Sequence, residues 1–402
     1  MNPYLFVLGR STTLCEAELH ALLSSFQETS HLRSVSTDVL LGECSPVFVP
    51  EKLMHKSAGI IKIATVVLRA KELTPEVLVE HCFPEKGSSL TFGVSSYCAQ
   101  ELPLSRWLAP LKQLLAEKFS PVRYVTSREG VLSSVVIEKQ NVHELIIAFD
   151  ETKNEWIVGK TLVVQDFEEW NRRDYDRPAV DPGLGMLPPK VARMMVNIAL
   201  GQLPQTTNYE LRTLLDPFCG VGTILTEGLL SGLQVVGSDV SPEQIEKSRK
   251  NLEWLGSKYP ESKKNTWKLV TGDATHLSSI IEPQSIDMIV TEPFMGSLFE
   301  NRGGELYQKG KKATVDDVKN IVRGLEKLYI GALKEWHTIL KPQGIVALIL
   351  PEIMFAKRPF FVKKVIDSCE NLGYTLTQGP FPYSRPQAVV KRKIYILKKH
   401  KV

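Results

Sequence analysis

The run Asp216-Pro217-Phe218-Cys219-Gly220-Val221-Gly222-Thr223 closes a short apolar strand at Thr213-Leu215 and opens an apolar helix at Ile224-Leu230. A strand that turns through two closely spaced glycines into a helix belongs to a parallel α/β sheet, where the backbone passes close to a ligand and free amides hold a negative group. The next strand, Leu233-Gln234-Val235-Val236-Gly237-Ser238-Asp239, ends on an acid about 20 residues downstream, where a ribose hydroxyl pair needs a carboxylate acceptor. A third acid follows at Gly272-Asp273-Ala274. The dinucleotide fingerprint places a third glycine where Leu225 stands, which disfavours NAD. The chain also lacks the glycine-rich lysine loop of the ATPases.

Acids before the loop, at the end of the second strand and after the third resemble the S-adenosylmethionine-dependent methyltransferases of the doubly wound class. By that resemblance the backbone around Phe218, Cys219, Gly220, Gly222 and Thr223 lies against the methionine part of S-adenosyl-L-methionine, with Asp216 beside it. Asp239 and Val240 take the ribose, and Asp273 and Ala274 read the adenine.

Downstream elements continue the strand and helix alternation. Ser241 caps a helix that carries Pro242 in its first turn, Gln244 at the capping-box position and Gly256 at its end. Strands are expected at Thr266-Val270, Ser285-Thr291 and Gly344-Leu350, a long amphipathic helix from Thr314 to about Leu340, and a final antiparallel pair at Tyr374-Gln378 and Lys393-Leu397. The fourth strand delivers Thr291-Glu292-Pro293-Phe294 at its carboxyl end, where open α/β sheets place their chemistry. Methyltransferases of exocyclic base amino groups carry Asp, Asn or Ser, then two prolines and an aromatic residue there. Here Thr291 and Glu292 replace the first two of those residues, so Glu292 becomes the candidate acceptor and Phe294 the candidate stacking ring. A strand-end turn with Phe294 in the core is the simpler alternative. The segment Gly296 to Lys312, with Arg302, Gly303, Gly304, Lys309, Gly310 and Lys311, is either a phosphate-closing loop or a solvated connection.

The first part of the chain reads as an α+β appendage. A strand at Tyr4-Leu8, a helical pattern from Leu14 to Leu23 and strands at Val39-Leu41 and Ile60-Val67 make a unit of residues 1–75. Residues 76–165 make a second one, with strands at Leu90-Val94, Val131-Ile137, Leu145-Ala148 and Trp156-Thr161 and a helix over Leu104-Phe119 in which Pro110 forces a kink or a late start. Residues 166–190 are polar and proline-bearing, too charged for a core, and read as a connection. It contains Gly183-Leu184-Gly185 and leads to a helix over Val191-Ala199 and a catalytic domain of residues 191–402.

Lys plus Arg against Asp plus Glu stand at 16 to 18 through Lys160 and 33 to 27 beyond it, a mild basic excess that permits an RNA partner. Six cysteines with no C-x-x-C pair argue against a zinc site and fit reduced, mostly buried thiols. No apolar run approaches the roughly 20 residues needed to span a bilayer, which points to a soluble cytoplasmic protein.

Over nearly its whole length the chain resembles the THUMP-containing tRNA guanosine N2-methyltransferases of the position-10 type, including their bacterial relatives. The resemblance rests on Tyr4-Arg10 with Glu16-Leu19, on Val131-Val135 and Ile157-Thr161, and above all on Arg173-Asp174-Tyr175-Asp176-Arg177-Pro178 leading to Gly185-Met186-Leu187-Pro188-Pro189-Lys190-Val191-Ala192. It implies a ferredoxin-like plus THUMP region holding tRNA or another structured RNA, a Rossmann-like catalytic domain, Pro188 and Lys190 near the methionine end, and room for a small activating subunit. Alternatives are an rRNA or DNA adenine-N6 methyltransferase and an RNA-binding relative without catalysis.

Overall fold

A computed structural model of the chain describes residues 1–28, 31–98, 102–180, 186–204, 212–297, 299–300, 306–308, 310–384 and 388–400. The chain divides into two compact units, Met1–Asn171 and Arg172–Val402.

The first unit is built on strands β1 (Asn2–Leu8), β2 (Arg33–Ser36), β3 (Val39–Cys44), β4 (Ile60–Ala70), β5 (Leu90–Ser96), β6 (Val122–Val125), β7 (His143–Asp150) and β8 (Glu155–Val164). All eight join one sheet in the order β2-β3-β1-β4-β8-β7-β5-β6. The segments 1–75 and 76–165, read from sequence as two modules, are therefore continuous through hydrogen bonding of β4 to β8. Helices α1 (Thr12–Ser25), α2 (Pro50–Lys56), α3 (Pro75–Cys82), α4 (Leu104–Leu115) and α5 (Ser134–Lys139) complete the unit. Pro110 sits inside α4, which begins at Leu104 and ends earlier than its apolar pattern suggests.

The strand expected over Val131-Ile137 is instead α5. The Ser133 hydroxyl accepts from the Val136 amide, an N-cap that diverts a β-branched run into a helix. Beneath it, Lys62 is fully buried and donates to the Leu132 carbonyl and to Glu144. Glu144 also accepts from the Ser95 and Thr161 hydroxyls. Burial lowers the Lys62 pKa while Glu144 opposes the shift.

The second unit holds β9 (Thr213–Asp216), β10 (Gln234–Asp239), β11 (Trp267–Thr271), β12 (Ile286–Thr291), β13 (Phe299–Glu300), β14 (Leu306–Gln308), β15 (Lys311–Lys312), β16 (Leu340–Phe355), β17 (Arg358–Phe361), β18 (Tyr374–Tyr383) and β19 (Val390–Lys399). Its main sheet runs β11-β10-β9-β12-β16-β19-β18, with the first five strands parallel and β19 antiparallel to both neighbours. This is the doubly wound, Rossmann-like arrangement expected from the strand and helix alternation. The chain leaves the centre at β9, runs to one edge through β10 and β11, then crosses back to β12, so the strand order reverses between β9 and β12. Open α/β sheets bind ligands beyond the carboxyl ends of the strands at such a reversal.

Helices α6 (Phe167–Tyr175), α7 (Pro189–Gln202), α8 (Thr223–Leu230), α9 (Pro242–Lys258), α10 (Val315–Ile339) and α11 (Lys363–Ser368) complete the chain. The cap expected at Ser241 forms, but α9 runs past Gly256 to Lys258. A full capping box between Thr314 and Asp317 starts α10, whose Tyr329, Leu333 and Trp336 enter the main apolar core.

The charged stretch read as a connection is partly helical and partly buried. Arg173 and Arg193 both donate to the same carboxylate oxygen of the buried Glu227, at 2.9 and 2.7 Å, and Arg177 donates to the Thr223 hydroxyl at 2.6 Å. Charge does not exclude a residue from an interior when its partner is there too. Gly183, Leu184 and Gly185 lie outside the described residues. Among the described residues no helix is long and apolar enough to cross a membrane.

Removing one partner of a buried ion pair strands the other charge, at a cost of about 3–5 kcal/mol, whereas apolar replacement of both is far cheaper. Lys62→Met should therefore destabilise the first unit by about that much, and adding Glu144→Leu should restore part of the loss. Denaturant melts of the single and double variants measure this.

Candidate active site

The loop after β9 is shaped by its two glycines. Gly222 has φ +84°, and a β-carbon there would collide with the Ser248 side chain of α9. Gly220 has φ +49°, and a β-carbon there would meet nothing within 4 Å, so the space above this peptide is open. The Gly222 amide donates to the Cys219 carbonyl at 2.7 Å, closing the turn that starts α8.

Two carboxylates brace this loop. Asp239 at the end of β10 accepts from the Gly220 amide at 3.0 Å and from the Ser241 amide at 2.9 Å. Asp216 at the end of β9 is buried, accepts from the Phe218 amide at 3.2 Å and takes the Thr291 hydroxyl of β12 at 2.7 Å. That last bond ties the two strand ends across the reversal of strand order. Burial pushes the Asp216 carboxyl up to about 7; the Thr291 and Phe218 hydrogen bonds oppose the shift, and the charges of Asp239 and Glu292 add to it.

On the other side of β10, the Gly272 amide donates to the Asp239 carbonyl at 3.0 Å, setting the loop that carries Asp273 and Ala274. Asp273 is exposed and accepts from the Thr275 amide and hydroxyl at 2.8 and 2.7 Å, which holds its pKa below the usual range. The Ala274 carbonyl accepts from the Trp336 indole at 3.1 Å, and the Trp336 ring meets Phe218 edge-on at 6.4 Å. The loop after β11 and the loop after β9 are thereby fixed to one helix.

At the end of β12, Thr291 is wholly buried, with its hydroxyl committed to Asp216, while Pro293 is buried and Phe294 is 54% exposed. Phe294 does not lie in the core, and its carbonyl accepts from the Tyr329 hydroxyl at 2.6 Å. Glu292 is paired with Arg392 of β19. Burial raises the Glu292 pKa, and Arg392 opposes the shift.

Thus Asp216, Phe218, Cys219, Gly220, Asp239, Asp273, Ala274, Thr291, Glu292 and Phe294 gather at the carboxyl rim of β9 to β12. Val240 is exposed beside Asp239. Pro188 caps α7 and Lys190 lies in its first turn, and α7 packs against α8, the helix that Thr223 begins. Arg302, Gly303, Gly304 and Lys309 lie outside the described residues, while Lys311 and Lys312 form the short exposed strand β15. Sequence reading passed over Tyr329, Trp336 and Glu227, which are distant in the chain and carry no motif. Arg392 likewise carries no motif; the signal that marks it is the unmatched acid at Glu292.

Residues 210–395 match the family model described as a methyltransferase domain, and the sheet order and glycine turn are the Rossmann-like fold of the S-adenosylmethionine-dependent methyltransferases. Similar curated proteins include the tRNA (guanine(10)-N2)-dimethyltransferase of Pyrococcus abyssi, 26% identical over 58% of this chain and 54% of that protein. The protein of the same name from Methanothermobacter thermautotrophicus is 28% identical over 50% of this chain and 48% of its own length. The chain thus spans about half the length of the curated relatives it matches. Among solved structures, a SAM-dependent methyltransferase from Methanosarcina mazei aligns over 48% of this chain and 95% of its own, at 16% identity and a TM-score of 0.32, a likeness too distant to bear on function.

Asp239→Ala should weaken S-adenosylmethionine binding by about 10- to 100-fold, the loss expected when hydrogen bonds to a charged acceptor vanish. Calorimetry with the full chain checks it. Asp216 yields a pH signature as well. Its native pKa lies above its unfolded value, so its contribution to stability is complete below about pH 4 and is lost as pH rises toward about 7. A cation bound at this rim favours the ionised form, so S-adenosylmethionine affinity should rise with pH up to about 7 and binding below that should release protons. Titrations in two buffers of different ionisation enthalpy read the release, and Asp216→Asn should flatten the profile.

Proposed function

We propose that the chain transfers a methyl group from S-adenosylmethionine to the exocyclic N2 of a guanosine in tRNA. The observation that carries this reading is the strand-end run of Glu292, Pro293 and an exposed Phe294 next to the braced glycine loop. The names of the relatives supply the choice of guanine and tRNA.

The loop fits the cofactor. In this reading the open space above Gly220 takes the methionine part, beside Phe218, Cys219, Gly222 and Thr223 of the loop, with Pro188 and Lys190 reaching it from the start of α7. The Asp239 oxygens, already aligned by two amides, have lone pairs left for ribose hydroxyls, with Val240 beside them, while Asp273 and Ala274 border the adenine. When bound, S-adenosylmethionine supplies an electrophilic methyl carbon, because its positive sulfur takes the C–S electron pair as the methyl leaves.

The chain's own residues must prepare the amino group. Its lone pair is delocalised into the base, so acceptors for its N–H bonds localise that pair on nitrogen. Glu292 and the strand-end carbonyls are those acceptors. Phe294, held in place through its carbonyl by Tyr329, stacks on a base turned out of its helix. One amino proton must leave after transfer, and a carboxylate whose pKa is raised by burial suits that role. Thr291 acts one step back, orienting Asp216. In this reading residues 76–165 are the THUMP-like RNA-holding part, residues 191–402 the catalytic domain and residues 166–190 the join between them.

Incubating the full chain with labelled S-adenosylmethionine and undermodified tRNA should place label in N2-methylguanosine on nucleoside analysis. Label found only in adenine or in a carbon-methylated base would reject the reading.

A further inference from the structure

The ion pair of Glu292 and Arg392 differs from the buried pair of Lys62 and Glu144 in where it lies and how far it is open. Glu292 follows the last residue of β12, and Arg392 reaches it from β19 across the intervening β16. In register, Thr291 stands opposite Leu348 of β16, and Arg392 opposite Pro351 of the same strand, three residues nearer the rim. The pair therefore stands at the carboxyl rim, next to the exposed Phe294, and the Glu292 charge is felt by both Asp216 and Tyr329. The buried pair of Lys62 and Glu144 leaves 1% and 0% of its side chains exposed, whereas Arg392 and Glu292 keep 24% and 15%.

We propose that Glu292 and Arg392 together read the Watson–Crick edge of guanine, the carboxylate accepting from N1–H and N2–H and the guanidinium donating to O6. The inference rests on the guanine-N2 reading above and supplies its base selectivity. Guanine presents two donors followed by an acceptor, and a carboxylate beside a guanidinium presents acceptors followed by donors. The carboxylate has about four lone-pair sites and the guanidinium five N–H groups, so each serves several partners at once. Adenine and cytosine turn a bare ring nitrogen toward the same carboxylate, lone pair against lone pair, and uracil has a single ring N–H. A site built to satisfy particular donors discriminates strongly against a base that lacks them, because its own polar groups are left unpaired. The same contact would draw on the N2–H bond and so join recognition to activation of the amino nitrogen. It also accounts for the acid found where related methyltransferases have proline.

The test is equilibrium binding of mononucleotides to the full chain saturated with S-adenosylhomocysteine. Guanosine 5′-monophosphate should bind about 10-fold or more tightly than adenosine 5′-monophosphate or 1-methylguanosine 5′-monophosphate, in line with the worth of a bidentate base contact. Glu292→Gln and Arg392→Met should each reduce that preference to less than about 2-fold, with S-adenosylhomocysteine affinity kept within about 2-fold. Arg392→Lys keeps the charge that faces Glu292 and loses the planar fork, so it guards against loss of fold and should also lose preference for guanine. Equal binding of the three nucleotides by the unaltered chain, or a guanine preference that survives in all three variants, overturns the proposal. Methyl transfer to guanine without that preference sinks the reader alone, whereas a preference abolished by the variants without methyl transfer sinks the enzymatic reading and leaves the pair as a guanine-binding site.

Discussion

One hydrogen bond organises the carboxyl rim of the second unit's sheet: the Thr291 hydroxyl donating to the buried Asp216 carboxylate. A carboxyl with so little access to water is costly to ionise, and its pKa rises accordingly. The bond offsets part of that cost and also settles geometry. It joins the end of β9 to the end of β12, so that the glycine loop and the strand-end run hold a fixed mutual position. Asp239 repeats the device one strand over, gripping the Gly220 amide from β10. The glycine loop and the end of β12 are thereby each held by a carboxylate on a neighbouring strand, and the backbone above Gly220 stays clear.

Behind the rim, buried charge serves support. Glu227 lies on α8 immediately behind the loop, with Arg173 of α6 and Arg193 of α7 on one of its oxygens. Arg177 touches Thr223, the first residue of the same helix. The polar segment at the start of the second unit is therefore fastened to the element that carries the glycine turn, and its charges belong to the interior of that unit. An apolar substitute would fill the same volume without fixing the direction of approach.

Much of the fold could be read from sequence because the relevant signals are local. The glycine turn, the acids ending β10 and following β11, and the Thr314 and Ser241 caps each declare themselves within a few residues. Long-range pairings were illegible for the complementary reason. Nothing near Lys62 predicts Glu144, nothing near Glu227 predicts two arginines, and no period announces that Arg392 meets Glu292. The strand expected at Val131-Ile137 failed because Ser133 caps a helix there, a local signal that the β-branched run outweighed in reading. The charged run at 171–178 misled in the other direction, since hydrophilicity alone does not say whether a partner waits in the interior.

The placement of β19 carries a consequence for biogenesis. This strand lies inside the sheet, between β16 and β18, although it follows both in the chain. As the polypeptide leaves the ribosome, β18 is made before the only strand of the main sheet that it hydrogen-bonds, and the edge of β16 stays open until that strand arrives. Because Arg392 travels on the late strand, the acid after Thr291 gains its counter-charge only at this last pairing, so a nascent chain would hold an assembled glycine turn well before the charges beside it were balanced.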